Sequence, residues 1–232
     1  MGAGPRASAT QPPDARLALR VCSGTRGAAI LAAVKLLPTR LSAETLAPAV
    51  RVFVVLGITP NMITVAGLLG SIGAAVAIAN GQLILGGILV LVFGGLDLFD
   101  GAVARATGKD TSFGALFDSV LDRLSEAVVL GGILVYEIDQ GNDEETILAF
   151  AAIVGSILVS YVRARAEGLD VSMTSGLFTR PERVVVTGAA LILGLLRPAL
   201  WLLTVITLLT VAQRVNTARK LLAEQALSEG DD

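Results

Sequence analysis

Apolar residues fall along this chain in long unbroken runs, where a soluble helix would show an interrupted stripe. From Asn61 to Ala79 there is no charged residue, and the run is long enough to cross a bilayer. Gly57-Ile58-Thr59-Pro60 ahead of it reads as a turn, with Pro60 well placed in a first helical turn. Asn80-Gly81 reads as a tight turn. A second run follows from about Gln82 to Arg105 and gains charge only from Asp97 onward. Further runs extend over Ser112–Ile138, Thr146–Arg163, Val184–Leu196 and Ala199–Gln213. An acidic loop, Glu137 to Glu145, separates the third from the fourth, and Arg197-Pro198 reads as a short external turn before the sixth. The pattern predicts an all-α integral membrane protein with six transmembrane helices, preceded by an N-terminal cytoplasmic or interfacial helical segment.

That segment differs in kind from the rest. Residues 1–16 are small, polar and proline-rich, without the apolar stretch of a secretory signal. Leu17 to Leu37 carries Arg20, Arg26 and Lys35, which suits a basic amphipathic helix at a membrane surface. Ser42-Ala43-Glu44 then supplies a cap for a short helix whose Arg51 argues against a full span. The organisation predicted is a surface or disordered segment over 1–41, an interfacial helix over 42–56, a six-helix domain over 57–227 and a tail over 228–232.

Composition sharpens this picture. Mean hydropathy of +0.73 is far above the soluble range. A net charge of −2 offers nothing to nucleic acid, and the arrangement of charge says more than the sum. Arg105, Lys109, Arg123, Arg163, Arg165, Arg180 and Arg183 fall at one end of the expected spans, opposite the acidic loop. By the positive-inside rule this end, both termini and the nearby acids face the cytoplasm, in a multi-pass protein of the cell membrane. One cysteine and no histidine exclude a thiolate cluster and the commonest general base. Acid–base and metal chemistry must therefore use carboxylates, and oxygen ligands favour Mg²⁺ or Mn²⁺.

Four such carboxylates stand where the pattern predicts membrane. Asp97 and Asp100 are three apart at the end of the second run, and Asp118 and Asp122 four apart at the start of the third, so each pair shares one helical face. Buried like charges repel and carry a desolvation cost, which a divalent cation or a pair of them would relieve. Ion pairs with Arg105, Lys109 and Arg123 are the alternative, but they leave too much negative charge unmatched. Gly101 and Gly114 sit beside the acids and would admit a bulky ligand close to the backbone.

The full spacing, Asp97-x2-Asp100-Gly101-x2-Ala104-Arg105-x8-Gly114-x3-Asp118-x3-Asp122, resembles position for position the signature of the CDP-alcohol phosphotransferase family. The resemblance implies a six-helix membrane transferase that moves a phosphoalcohol from a CDP-linked donor to a hydroxyl acceptor and releases CMP. Carried over by position, Asp97, Asp100 and Asp118 become metal ligands for two ions in the family pattern, with Asp122 completing the second site and acting as general base. Asp97, Gly101, Arg105, Gly114 and Asp118 match donor-binding positions, and Thr111 and Asn61 are further donor contacts. A homodimer is also implied.

Arginines address the acceptor. Arg163 and Arg165 end the fourth run, Arg183 opens the fifth and Arg214 closes the sixth, and guanidinium groups suit a phosphorylated polyol. Each alternatively anchors a helix end among anionic head groups. Ser160–Glu167, Thr179–Arg183 and Gln213-Arg214 resemble segments of the inositol-phosphate branch of the family, bacterial and archaeal. That likeness covers about residues 57–216 and implies CDP-diacylglycerol as donor and 1D-myo-inositol 3-phosphate as acceptor, ahead of glycerol 3-phosphate or a CDP-archaeol donor. A carboxylate-lined cation transporter, the alternative of another class, predicts acids spread across the bilayer, whereas these cluster at one end.

Overall fold

The computed structural model describes residues 51, 53–96, 103, 111–173 and 178–229. Among them the chain is all-helical, with six helices of twelve residues or more. These are α1 (Pro60–Ala79), α2 (Leu83–Gly94), α3 (Ser112–Gln140), α4 (Asp143–Glu167), α5 (Arg180–Leu193) and α6 (Leu196–Glu229). Packing runs α1 on α3, α3 on α4, α4 on α6, α6 on α5, α5 on α2 and α2 on α1, so the helices close into a ring. Ala74, Val90, Ile133, Ala152, Leu191 and Leu200, one from each helix, meet in the shared core.

The outward faces are apolar as well. Met62, Val65, Leu69, Ile72 and Val76 form one exposed stripe on α1, and Ile147, Phe150, Val154, Ile157 and Tyr161 another on α4. Such stripes are tolerable only where the solvent is lipid. By length and apolarity α1, α4 and α6 qualify as membrane spans. α3 is long but charged along its first half, and α2 and α5, at 12 and 14 residues, rise about 18 and 21 Å against a hydrocarbon core of about 30 Å.

Helix ends depart from the sequence expectation in four places, each for a local reason. The second run does not continue as one helix to Arg105: α2 closes at Gly94, where Gly95 N–H donates to the Leu91 carbonyl and Leu96 N–H to that of Phe93, tightening the last turn. The acidic loop shrinks to Gly141-Asn142. Gly141 takes the left-handed conformation (φ 73°) that ends α3, and Asp143, Glu144 and Glu145 become the first turn of α4, where the helix dipole favours them. Glu137 turns inward, 3% exposed, and accepts a hydrogen bond from Asn142 Nδ2 at 2.7 Å. α5 begins at Arg180 rather than Val184, because the Glu182 carboxylate accepts the Thr179 backbone N–H (2.6 Å) and hydroxyl (3.0 Å).

The fourth correction concerns Arg197-Pro198. The reversal is made one step earlier by Gly194 (φ 69°), and Pro198 lies in the first turn of α6, where its missing N–H costs nothing. Arg197 bonds the Glu144 carboxylate and reaches Glu145 Oε1 at 3.1 Å, while Trp201 Nε1 donates to Glu144 Oε1 at 2.8 Å. This end of the bundle is thereby tied across α4 and α6. Elsewhere helices meet through backbone: a β-carbon on Gly132 of α3 would lie 2.6 Å from the Ala75 carbonyl oxygen of α1. The expected N-terminal elements fall almost wholly outside the described residues; residues 51 and 53–55 are helical and Thr59 caps α1, its hydroxyl accepting from Met62 N–H.

Candidate functional site

The site is organised by one face of α3. Gly114, Asp118, Asp122 and Glu126 recur every four residues and so stack along a single stripe. At its start Thr111 caps the helix, its hydroxyl accepting the Gly114 N–H at 3.0 Å. A β-carbon on Gly114 would lie 3.0 Å from that hydroxyl and 3.7 Å from Asn61 Oδ1 on α1. Asn61, Thr111 and Gly114, three expected donor contacts, therefore converge. Asp97, Asp100, Gly101 and Arg105 lie outside the described residues.

Further along the stripe the acids meet arginines. Asp118 is half-buried, and among the described residues its buried Oδ1 has no hydrogen-bond partner. Asp122 Oδ1 lies 2.9 Å from Arg180 Nη1. Glu126 holds Arg183 with both oxygens, Oε1 to Nε at 2.5 Å and Oε2 to Nη2 at 2.7 Å. Arg183 also donates to the Phe178 carbonyl (3.2 Å) and the Ser156 hydroxyl (3.4 Å), which commits four of its five N–H groups. Arg123 bends back to the carbonyl and hydroxyl of Ser119, one turn earlier.

A cavity of about 400 Å³ opens beside these groups. Asp118, Asp122 and Glu126 form one side, and Arg163, Arg180 and Arg214 are among the residues opposite and around. Arg163 pairs at its rim with Glu167 (2.8 Å), an exposed bond that solvent weakens. Arg214 is buried: its Nη1 donates to the Val159 carbonyl at 2.6 Å, and its Nε has no partner among the described residues. Among the described residues no carboxylate bonds this buried cation, which suits it to an anion. Arg165 does not line the cavity and is exposed, since two residues from Arg163 is more than half a turn and points away from it.

Three contributors were not foreseen as site residues. Glu126 had a signal in the sequence, standing one more turn along from Asp118 and Asp122. Arg180 was counted only with the positive end of the spans, and its partner lies 58 positions away, beyond any local pattern. Ser156 carried no signal at all.

Acids on one helix, facing arginines from three others across a cavity at one end of a membrane bundle, are what a phosphoryl-transfer site requires. The family model for CDP-alcohol phosphatidyltransferase matches residues 57–215. The chain belongs to this family. As a CDP-alcohol phosphatidyltransferase it is a membrane-associated phosphotransferase, and its relatives are close. A phosphatidylinositol phosphate synthase of Mycobacteroides abscessus is 35% identical over 172 residues, 70% of this chain and 78% of the relative. An archaetidylinositol phosphate synthase of Pyrococcus horikoshii is 37% identical over 166 residues, 71% and 86% of the two chains. The crystal structure of Mycobacterium tuberculosis phosphatidylinositol phosphate synthase with CDP-DAG bound is similar with a TM-score of 0.68 at 31% identity, covering 74% of this chain and 92% of that one. The same mycobacterial enzyme is also known in complex with manganese and citrate.

Proposed function

We propose that this transferase joins CDP-diacylglycerol to 1D-myo-inositol 3-phosphate, giving phosphatidylinositol phosphate and CMP. The observation that carries the reading is the cavity itself, with Asp118 and Asp122 on one side and the buried Arg214 on another. A diphosphate donor and a phosphorylated acceptor need both kinds of wall. The likeness to synthases of inositol phospholipids, and to one with CDP-DAG bound, supports the choice of substrates.

Divalent cations fit the residues present. Asp118 Oδ1 is an oxygen donor without a partner among the described residues, and the spaced acids bring no nitrogen or sulfur ligand with them. In this reading Asp97, Asp100, Asp118 and Asp122 hold two Mg²⁺ or Mn²⁺ ions. Such ions, when bound, neutralise the charge that develops on the departing CMP. Asn61, Gly101, Arg105, Thr111 and Gly114 receive the donor nucleotide, Gly114 by leaving room that a side chain would fill. Arg214 and Arg163 hold the acceptor's phosphate, and Arg183, committed to Glu126, keeps one N–H for it. Asp122 takes the proton of the acceptor hydroxyl as its oxygen bonds to the lipid-bearing β-phosphorus. The bond from that phosphorus to the CMP oxygen breaks, and CMP leaves with the electron pair.

The reading sets the six-helix bundle in the cell membrane, the cavity and both termini on the cytoplasmic side by the distribution of arginines, in a homodimer. CMP release by purified protein with CDP-diacylglycerol and Mg²⁺ tests it, comparing inositol 3-phosphate, inositol, glycerol 3-phosphate and serine. Release with inositol 3-phosphate alone is expected. Release with glycerol 3-phosphate instead would retain the chemistry and overturn the acceptor, and release with none would overturn the donor.

A further inference from the structure

We propose that Arg180 is a resident counter-cation for Asp122, holding that carboxylate in metal-free protein until a divalent cation takes its place. The proposal rests on Asp122 being a metal ligand, as read above. It starts from a two-rung ladder. Arg180 and Arg183 are three apart in the first turn of α5, hence on one face, and they meet Asp122 and Glu126, four apart on the facing side of α3. The rungs match in chemistry and differ in burial.

Arg183 and Glu126 have side chains 4% and 8% exposed, and two charge-assisted bonds join them. Neither group can leave without stranding a buried charge, so this rung is permanent. Arg180 and Asp122 have side chains 20% and 22% exposed at the edge of the cavity. Water reaches this rung, which lowers the cost of parting the charges. The inner rung thus fixes the register of α5 on α3, and the outer one can exchange.

Exchange has a reason. Asp118 lies one turn from Asp122 on the same face, and without a cation the two carboxylates repel. Arg180 supplies positive charge to Asp122 at 2.9 Å. A divalent ion held by the same carboxylate would repel the guanidinium and compete with it for that negative charge. Arg180 is therefore a positioning residue: it holds the Asp122 carboxylate in place beforehand, at some expense in metal affinity.

Titration of Mn²⁺ into the full chain in detergent, without substrate and read by the electron paramagnetic resonance of the free ion, tests this. Arg180→Gln is expected to bind Mn²⁺ about three- to fivefold more tightly than wild type, the upper part of the range of a part-exposed ion pair. Arg180→Lys, which keeps the charge, should stay within about twofold of wild type. If the Gln variant does not fold, Arg180→Met retains the apolar stem and serves in its place. Asp122→Asn should bind more weakly, and adding Arg180→Gln to it should change nothing further. Unchanged or weaker binding in Arg180→Gln, with Asp122→Asn weakened, overturns the exchange alone. Equal tightening in the Asp122→Asn background would reduce it to a general field effect and overturn the pairing. Wild-type affinity in Asp122→Asn removes the ligand reading, and the exchange with it.

Discussion

Truncating Glu126 to alanine isolates the most buried charge in the site. Arg183 would lose its two carboxylate bonds, of 2.5 and 2.7 Å, and keep only the Phe178 carbonyl and the Ser156 hydroxyl, at 3.2 and 3.4 Å. A guanidinium 4% exposed would then carry its charge without a counter-ion. Breaking one partner of such a pair costs about 3–5 kcal/mol. For a domain of this size that lowers Tm by on the order of 10 °C. The lone tryptophan, Trp201 on α6, reports unfolding of the detergent-solubilised protein by its fluorescence. Replacing both members, Glu126→Met with Arg183→Met, removes the stranded charge and is expected to recover stability to within about 1 kcal/mol of wild type. Activity should not recover, because the register between α3 and α5 would no longer be set by a directional bond. A single variant melting within about 2 °C of wild type, less than 1 kcal/mol, would refute the argument. So would a paired variant as unstable as the single one.

Two further outcomes follow from the geometry. Arg214→Ala should raise the acceptor KM by about tenfold or more, as for loss of a charge-assisted hydrogen bond, with little change in donor KM, whereas the outward-facing Arg165→Ala should move either by less than about twofold. Steady-state CMP release with each substrate varied in turn separates these. Gly132→Ala forces a β-carbon to within 2.6 Å of the Ala75 carbonyl oxygen, so α1 and α3 must part, lowering stability by about 1–3 kcal/mol in the same thermal assay.

Much of this was legible before any coordinates. Spacing alone put Asp118 and Asp122 on one helical face, and that face does line the cavity. Arg163 and Arg214 reach the same space from α4 and α6 because each stands where the apolar run of its helix gives way to charge. Arg165 was grouped with Arg163 by proximity in sequence, which a helix converts into opposite directions. Glu126 continued the stripe of acids but was masked by the apolar residues around it. Arg180 needed tertiary information, since nothing local ties position 180 to position 122. The turn at Gly194 was displaced to Arg197-Pro198 because proline is the louder signal, although only the glycine reaches positive φ without strain.

The single helix α6 also measures depth. Arg197, bonded at one end of the bundle, and Arg214, in the cavity at the other, stand on the same unbroken helix. At about 1.5 Å per residue the two guanidinium groups are anchored about 26 Å apart along its axis. A hydrocarbon layer is about 30 Å thick. Between these two groups one rod is therefore nearly as long as that layer is thick, and with Arg197 at one boundary it would hang the cavity's buried cation just inside the other. In that placement a water-borne anion would descend only a few ångströms to meet it, while a ligand with acyl chains could keep them in oil throughout.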